Sequence, residues 1–186
     1  MGNIWITSDL HFCHDRDFVV AKRGFRTVEE MNEGIVIRWN GRVTKNDTVY
    51  VLGDLMLMNN TRGLELIKSL NGKLRVVVGN HDSDNRLQLY EECPNVESIE
   101  YAYRMNYEGI NFFLTHYPTL TAEKDPTIPL FKTVINLCGH SHTQFPFVDW
   151  GKGRIYHCEM DAHNCYPVNM EKVFEEIKKR YEGDLA

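Results

Sequence analysis

The chain has 186 residues, of which 42% are hydrophobic and 25% are charged, as is typical of soluble globular proteins. This length suffices for one domain with a sizeable core, and we expect residues 1–186 to form that single domain. The net charge of −5 argues against a dedicated nucleic-acid surface, although metal ions would neutralise any acidic residues that bind them.

Cysteine usage and the first residues bear on location. The five cysteines are odd in number and form no Cys-x-x-Cys pair, which favours reduced thiols over a disulfide framework. Residues 1–6 are too short and uncharged for a signal peptide, and the sequence has no run of about 18 apolar residues that could span a membrane. We therefore expect a cytoplasmic protein with no membrane partner.

The first half of the chain alternates predicted strands and predicted helices. Short apolar segments predict strands at residues 3–8, 48–52 and 74–78. Helices are predicted at residues 28–40, where Thr27 and Glu30 form a capping box, and at residues 63–70. This alternation indicates βαβ units and a parallel sheet.

The second half predicts a hairpin, further strands and a last helix. In residues 99–105, Ile99, Tyr101, Tyr103 and Met105 alternate with Glu100, Ala102 and Arg104, and a turn at 106–109 leads to a returning strand at 110–115. A loop is predicted at 121–129, and Asn169 is the predicted cap of the last helix. The remaining apolar segments predict strands at residues 133–138 and 154–158.

Five predicted strands end directly in small polar clusters. In chain order these clusters supply Asp9 and His11, then Asp54, then Asn80 and His81, then His116, then His140 and His142. One such cluster is common as a polar loop or a cap, but five in one small domain are hard to explain by capping. Because open α/β sheets bind ligands at the carboxyl ends of their strands, we expect the clusters at one edge. Asp9 and His11 are expected to point the same way from extended backbone.

The residue types in these clusters favour metal binding. Two carboxylates, an amide and several imidazoles are typical ligands of divalent transition metals of intermediate hardness. Their number exceeds what a single tetrahedral site needs and fits two ions that share a bridging carboxylate. Pairs of ions about 3.5–4 Å apart activate water and stabilise an in-line displacement at phosphorus.

The clusters also carry a family resemblance, because their order and content resemble those of the calcineurin-like metallophosphoesterases. The matching motifs are Asp9-x-His11, Gly53-Asp54, Gly79-Asn80-His81-Asp82, His116 and Gly139-His140-Ser141-His142. The resemblance spans residues 9–142 and implies a small phosphoesterase of bacterial or phage type. It also implies the fold of that family, a four-layer α/β/β/α sandwich.

The resemblance implies a role for each matching residue. Asp9, His11 and His142 would hold one ion, Asn80, His116 and His140 would hold a second, and Asp54 would bridge them. A metal-bridging hydroxide would attack phosphorus, while His81 would protonate the leaving oxygen or stabilise charge on the phosphoryl group. The donors admit Mn, Fe, Zn, Co or Ni, and we favour Mn.

Other residues separate this chain from part of the superfamily. Ser/Thr protein phosphatases carry an Asp-Arg pair shortly after the Gly-Asp motif, where this chain has residues 55–59, Leu-Met-Leu-Met-Asn. We therefore do not expect a phosphoprotein phosphatase. The sequence does not identify the group that orients the His81 side chain, and Asp82 is a candidate. His14 either contacts the substrate or is a solvated loop histidine, and His163 is a weaker substrate candidate.

The function that these observations predict is metal-dependent hydrolysis of small phosphate esters, by a phosphodiesterase or a broad phosphoesterase. A nuclease is an alternative that the acidic balance disfavours. A non-catalytic protein-binding scaffold on the same fold is a second alternative, and the intact set of metal positions and His81 disfavours it. The sequence leaves open the native substrate, the metal and the oligomeric state.

Overall fold

The computed structural model describes residues 2–121, 128–148 and 154–183, with side chains as far as residue 181. The strands in these ranges are β1 (Ile4–Thr7), β2 (Thr48–Val51), β3 (Lys73–Val77), β4 (Val96–Glu100), β5 (Tyr103–Tyr107), β6 (Ile110–Leu114), β7 (Val134–Cys138), β8 (Ile155–His157) and β9 (Val168–Asn169). The α-helices are α1 (Asp17–Val20), α2 (Val28–Asn40), α3 (Asn60–Lys68), α4 (Asp84–Glu91) and α5 (Met170–Gly183). Most of the loop predicted at 121–129 lies outside the described residues.

Two sheets form the centre of the fold. The first has the strand order β4-β3-β2-β1-β9, and the second has the order β5-β6-β7-β8. Strands β1 to β4 are parallel, and only β9 runs antiparallel within that sheet. In the second sheet β5 and β6 form an antiparallel hairpin, while β6, β7 and β8 are parallel. Helices flank the sheets, which confirms the predicted α/β sandwich.

The side chains of the first sheet enter two separate cores. In β2, Val49 and Val51 belong to one buried cluster, whereas Tyr50 belongs to the other, because successive strand residues point to opposite faces. The outer cluster packs the sheet against helices and includes Met31, Ile35, Trp39, Leu66, Ile67 and Tyr90. The inner cluster joins the two sheets and α5, and includes Phe112, Leu114, Ile135, Leu137, Val173 and Ile177.

The hairpin predicted to begin at residue 99 is partly wrong. The alternating segment 99–105 is not one strand, since β4 belongs to the first sheet and β5 to the second. Between them Tyr101 is 81% exposed, where the chain passes from one sheet to the other. Both strands carry exposed positions between partly buried ones, Glu97 and Glu100 in β4 and Arg104 and Asn106 in β5, so the sequence pattern does not mark the break. The predicted turn is confirmed, with positive φ at both Glu108 and Gly109 as a two-residue hairpin loop requires.

Capping explains where the helices begin. The Thr27 side chain accepts a hydrogen bond from the Glu30 amide at 3.1 Å, which confirms the predicted cap of α2. Helix α3 begins at residue 60 rather than 63, because the Asn59 side chain caps it. Asn169 accepts from the Glu171 amide at 2.9 Å at the start of α5, as predicted. Among the strands and α-helices, three short elements were not predicted: α1, α4 and β9.

Helix length also bears on the membrane question. None of the helices among the described residues is long and apolar enough to cross a membrane.

The carboxyl ends of the parallel strands meet at one edge of the sandwich. Ser8, which follows β1, pairs with Glu159, which follows β8, in an isolated parallel bridge. His116, which follows β6, places its Nδ1 atom 2.8 Å from the carbonyl oxygen of Leu52, which follows β2. The loops of both sheets therefore face one another, and the five predicted polar clusters share this edge.

Candidate metal centre

The polar loops leave their strands through left-handed backbone. Positive φ angles occur at Asp9 (57°), His11 (51°), Asp54 (57°), His140 (73°) and His142 (49°). Each such residue costs about 1–3 kcal/mol and persists only where the surrounding structure holds it. The expectation of extended backbone at Asp9 and His11 is therefore wrong. The sharp turns nevertheless bring the two side chains together, with His11 Nε2 3.6 Å from Asp9 Oδ1.

Two motif glycines permit the close approach of these loops. A Cβ atom at Gly139 would lie 1.8 Å from Ser8 Oγ and 2.4 Å from Asp9 Oδ2. A Cβ atom at Gly79 would lie 2.2 Å from Asp54 Oδ1. Any larger residue at either position would displace a carboxylate of the site.

One set of side chains, the first ligand group, consists of Asp9, His11 and His142. Asp9 Oδ1 lies 3.6 Å from His11 Nε2 and 3.7 Å from His142 Nε2. Both Asp9 Oδ1 and His11 Nε2 are buried without a hydrogen-bond partner among the described residues. The other oxygen, Asp9 Oδ2, accepts from the amide of His140 at 2.9 Å. Oxygen and nitrogen atoms without hydrogen-bond partners at this spacing fit one metal ion with ligand bonds of about 2.0–2.2 Å.

The second ligand group consists of Asn80, His116 and His140. Asn80 Oδ1 lies 2.8 Å from both His116 Nε2 and His140 Nδ1. Because the Leu52 carbonyl can only accept, His116 carries its proton on Nδ1 and turns the Nε2 lone pair toward Asn80. An imidazole lone pair and an amide oxygen that face the same point fit a cation there.

Asp54 lies between the two groups. Its Oδ2 atom is 3.7 Å from His11 Nε2 and 3.6 Å from His116 Nε2. Ligand atoms of Asp9, Asp54 and His116 also lie within 4.8 Å of one another. The position matches the bridging role that the resemblance implies for Asp54.

Burial and neighbouring charges set the protonation of these ligands. Burial raises the pKa of Asp9, but the imidazoles of His11 and His142 outweigh it and hold that pKa at about 2. Burial lowers the pKa of His11 to about 4. Burial, together with the carboxylates of Asp9 and Asp82, raises the pKa of Asp54 to about 6 against the opposing influence of His116. At neutral pH all three are mainly in the protonation state that binds metal.

Two residues behind the first ligand group were missed by sequence reasoning. Asp161 Oδ2 lies 2.9 Å from His142 Nδ1 and 2.8 Å from Arg23 Nη2. Asp161 belongs to a 3₁₀ helix at Met160–His163 that follows β8. The only sequence signal was that Asp161 comes soon after a predicted strand, because nothing in the spacing connects it to Arg23.

His81 sits at the open side of the site. Its side chain is 43% exposed, and its Nε2 atom is 4.0 Å from Asp54 Oδ2. Asp82 does not orient it, because the Asp82 carboxylate accepts from the amides of Asp54 and Gly79 and from the Tyr90 hydroxyl. Asp82 instead ties together the loops that carry Asp54 and Asn80. The backbone of His81 is held by its own amide, which donates a hydrogen bond to Asp54 Oδ1 at 2.8 Å.

The two predicted substrate histidines occupy different places. The His14 ring lies 5.0 Å from the His11 ring and 6.5 Å from the His81 ring, so it borders the site. Burial and the nearby His81 lower the pKa of His14. His163 instead stacks on Tyr156, and its Nε2 atom is 2.9 Å from the His157 carbonyl. Among the described residues it contacts no metal-ligand candidate, so its role as a substrate contact is not supported.

Comparisons with known proteins match nearly the whole chain. A family model described as calcineurin-like phosphoesterase matches residues 2–184. An uncharacterized protein of Methanocaldococcus jannaschii, MJ1445, is 30% identical over 185 residues, covering 96% of this chain and 93% of the relative. The Gene 66 protein of Mycobacterium phage D29 is 27% identical over 210 residues, covering 98% of this chain and 100% of the relative.

A solved structure confirms the fold. The protein of unknown function AQ665 from Aquifex aeolicus superposes with a TM-score of 0.72, covering 94% of this chain and 99% of that protein. The sequence identity of 20% means that this likeness concerns the fold alone.

Proposed function

The chain belongs to the calcineurin-like phosphoesterase family and is a metal-dependent phosphoesterase, and we propose that it hydrolyses phosphodiesters with two divalent metal ions. The observation that carries this proposal is the position of Asp54. Its Oδ2 atom approaches one imidazole of each ligand group, His11 at 3.7 Å and His116 at 3.6 Å. A carboxylate shared by two ligand groups is what a pair of closely spaced ions requires.

The proposed ion sites follow the two ligand groups. Asp9, His11 and His142 would hold the first ion, and Asn80, His116 and His140 the second, with Asp54 binding both. When bound, the ions supply the charge that lowers the pKa of the attacking water and neutralises the phosphoryl oxygens. The mixed oxygen and nitrogen donors suit Mn, Fe, Zn, Co or Ni, and we propose Mn as the working ion.

His81 is the proposed proton donor. Its imidazole is half exposed at the mouth of the site, and its Nε2 atom faces Asp54 at 4.0 Å. From there it can hold a proton at Nε2 and deliver it to the oxygen of the leaving group. Proton transfer by a positioned imidazole typically contributes about 10²–10⁴-fold in rate.

The surroundings of the site support small esters as substrates. His14 has a buried Nδ1 atom without a partner among the described residues, and we propose that it contacts the substrate. The Phe18 ring beside His14 is 70% exposed, and the Tyr117 ring beside His140 is 51% exposed. A site bordered by such open positions should accept several small phosphodiesters, while the net charge of −5 disfavours nucleic acid.

We also propose that the protein is cytoplasmic and forms a single domain. All five cysteines are free and buried, which supports a reducing cytoplasmic environment. Residues from both sheets supply the candidate ligands, which supports one domain over residues 1–186.

Hydrolysis of bis-p-nitrophenyl phosphate and p-nitrophenyl phosphate tests the proposal. Metal-stripped protein refilled with Mn should turn over the diester, and both His81→Ala and Asp54→Asn should lose that turnover. Asp47→Asn is the matched control. Asp47 is a buried carboxylate that accepts hydrogen bonds from the Asn3 amide at 2.7 Å and the Thr44 amide at 2.8 Å. It lies at the amino-terminal ends of β1 and β2, whereas the site lies at their carboxyl ends.

Two other outcomes would change the functional conclusion. Turnover of the monoester alone would identify a phosphatase rather than a phosphodiesterase. Absence of turnover in protein that binds two ions would favour the non-catalytic scaffold.

A further inference from the structure

We propose that Asp161 and Arg23 are positioning residues for the first ligand group, and that the first ion binds with full affinity only when both are present. This inference deepens the proposed function and rests on it, because it requires a metal ion at Asp9, His11 and His142. It concerns two side chains that none of the five motifs includes.

Asp161 fixes the tautomer and the direction of His142. The Asp161 Oδ2 atom lies 2.9 Å from His142 Nδ1, and a carboxylate can only accept a hydrogen bond from that nitrogen. His142 therefore carries its proton on Nδ1, and its Nε2 lone pair is turned toward Asp9 Oδ1 at 3.7 Å. A carboxylate behind a metal-binding imidazole also increases the basicity of the ligand.

Arg23 connects Asp161 to the other two ligands of the group. Its Nη2 atom donates to Asp161 at 2.8 Å and to the Asp9 carbonyl at 2.7 Å, and its Nη1 atom donates to the Leu10 carbonyl at 3.0 Å. The guanidinium thus holds the backbone of the loop that carries Asp9 and His11. Three oxygens from two chain segments surround one planar cation, a geometry that a lysine ammonium cannot reproduce.

Because both side chains are buried, the charges of Arg23 and Asp161 act strongly on the groups around them. The side chains of Arg23 and Asp161 are 0% and 1% exposed, so neither charge is solvated by water. Arg23 balances Asp161, and Asp161 in turn faces the imidazole that would bind the ion. The pair therefore sets both the charge and the geometry behind the first ion.

The second ligand group has a different support. His116 Nδ1 is held by the backbone carbonyl of Leu52 at 2.8 Å, without a carboxylate. Loss of Asp161 should therefore weaken the first ion and leave the second unchanged. A purely structural role, in which the ion pair only ties the 3₁₀ helix to the segment after α1, predicts lower stability with equal effects on both ions.

Variants that keep only one of the two ligand groups intact separate these two accounts. His116→Ala weakens the second group and reports the affinity of the first ion, while His142→Ala weakens the first group and reports the second. Asp161→Asn is introduced into each variant, and Mn is titrated into metal-stripped protein by calorimetry. We expect a loss of about 10–100-fold in the His116→Ala background and no change in the His142→Ala background.

Two further variants guard against misfolding. Asp47→Asn removes a buried carboxylate far from the site and should leave the affinity of the first ion unchanged. Arg23→Lys keeps the positive charge but loses the forked hydrogen bonds, so it should weaken the first ion less than Asp161→Asn does. If Asp161→Asn does not fold, Arg23→Lys in the His116→Ala background carries the same test.

The outcomes distinguish the inference from the proposed function. Equal affinities with and without Asp161, in protein whose wild type binds two ions, overturn the inference and leave the function standing. Equal losses in both backgrounds favour the structural role and also overturn it. Wild-type protein that binds fewer than two ions overturns the proposed function and the inference together.

Discussion

The two ligand groups lie side by side but are held in different ways. In the first, Asp9 and His11 are buried and His142 is partly exposed, and a charged pair, Arg23 and Asp161, lies behind the group. The second is partly open to solvent, with His140 exposed, and its His116 is held by a backbone carbonyl. The two groups therefore differ in whether a side chain or the backbone holds the supported histidine. Side-chain substitutions can remove the support of the first group but cannot remove that of the second.

The largest expected effect comes from the residue that the two groups share. Asp54→Asn removes the carboxylate charge between them, while its amide oxygen can still reach one side. Because metal ions supply several kcal/mol of transition-state stabilisation, kcat for bis-p-nitrophenyl phosphate should fall at least about 10³-fold. Metal analysis of the variant should show fewer than two ions per chain. Wild-type activity in this variant would contradict a shared ligand.

A second substitution tests the open side without touching either group. His81→Ala should lower kcat for the diester about 10²–10⁴-fold, because the leaving group loses its proton donor. The number of bound ions should stay the same, since the His81 ring is not a proposed ligand. Loss of an ion in His81→Ala would show instead that the imidazole belongs to the metal site.

The protonation of Asp54 predicts a pH dependence of metal binding. Burial raises its pKa to about 6, so in the metal-free protein this carboxylate takes up a proton as the pH falls below that value. The affinity for Mn should therefore fall by at least about tenfold per unit as the pH drops below 6. The proposed ligand His142 adds a second competing proton, because burial lowers its pKa but Asp161 and Asp9 outweigh burial and raise that pKa above the ordinary value. Calorimetric titrations at several pH values check this slope. An affinity that is constant down to pH 5 would exclude Asp54 as a ligand.

The smallest expected effect concerns the support beneath both groups. Tyr90→Phe removes the hydroxyl that donates to Asp82 at 2.8 Å, and Asp82 ties the Asp54 loop to the Asn80 loop. The free energy of unfolding should fall by about 1 kcal/mol in urea titrations of metal-free protein. Tyr156→Phe, which removes a hydroxyl bonded to Glu176, is a matched control outside these loops. A larger loss of activity in Tyr90→Phe than in the control would locate the effect in the ligand loops.

The sequence predicts the strand ends well, because hydrophobic strands followed by Gly-Asp or Gly-His are local patterns. It places the seven candidate ligands and His81 at one edge, where the fold brings them together. The left-handed backbone at Asp9 and His11 has no such pattern, because it is held by contacts with loops far along the chain. Arg23 and Asp161 are 138 residues apart and meet only after both sheets have formed.

Similar limits explain the errors in the fold. In the segment 99–105 a large apolar or aromatic side chain occupies every second position, so nothing local marks the point where the chain leaves the first sheet at Tyr101. Helix α4 was missed because Tyr90 is its single fully buried residue, which gives little apolar periodicity. Histidine is a common residue type in active sites, but the His163 ring stacks on Tyr156, and only the tertiary structure reveals this contact.

The most direct test of the two-ion account is a titration of activity against bound metal. Metal-stripped protein receives increasing amounts of Mn, and diester hydrolysis is measured at each ratio of ion to chain. The account predicts little turnover with one equivalent and full turnover with the second. Full turnover at one equivalent, with no further change, would contradict it.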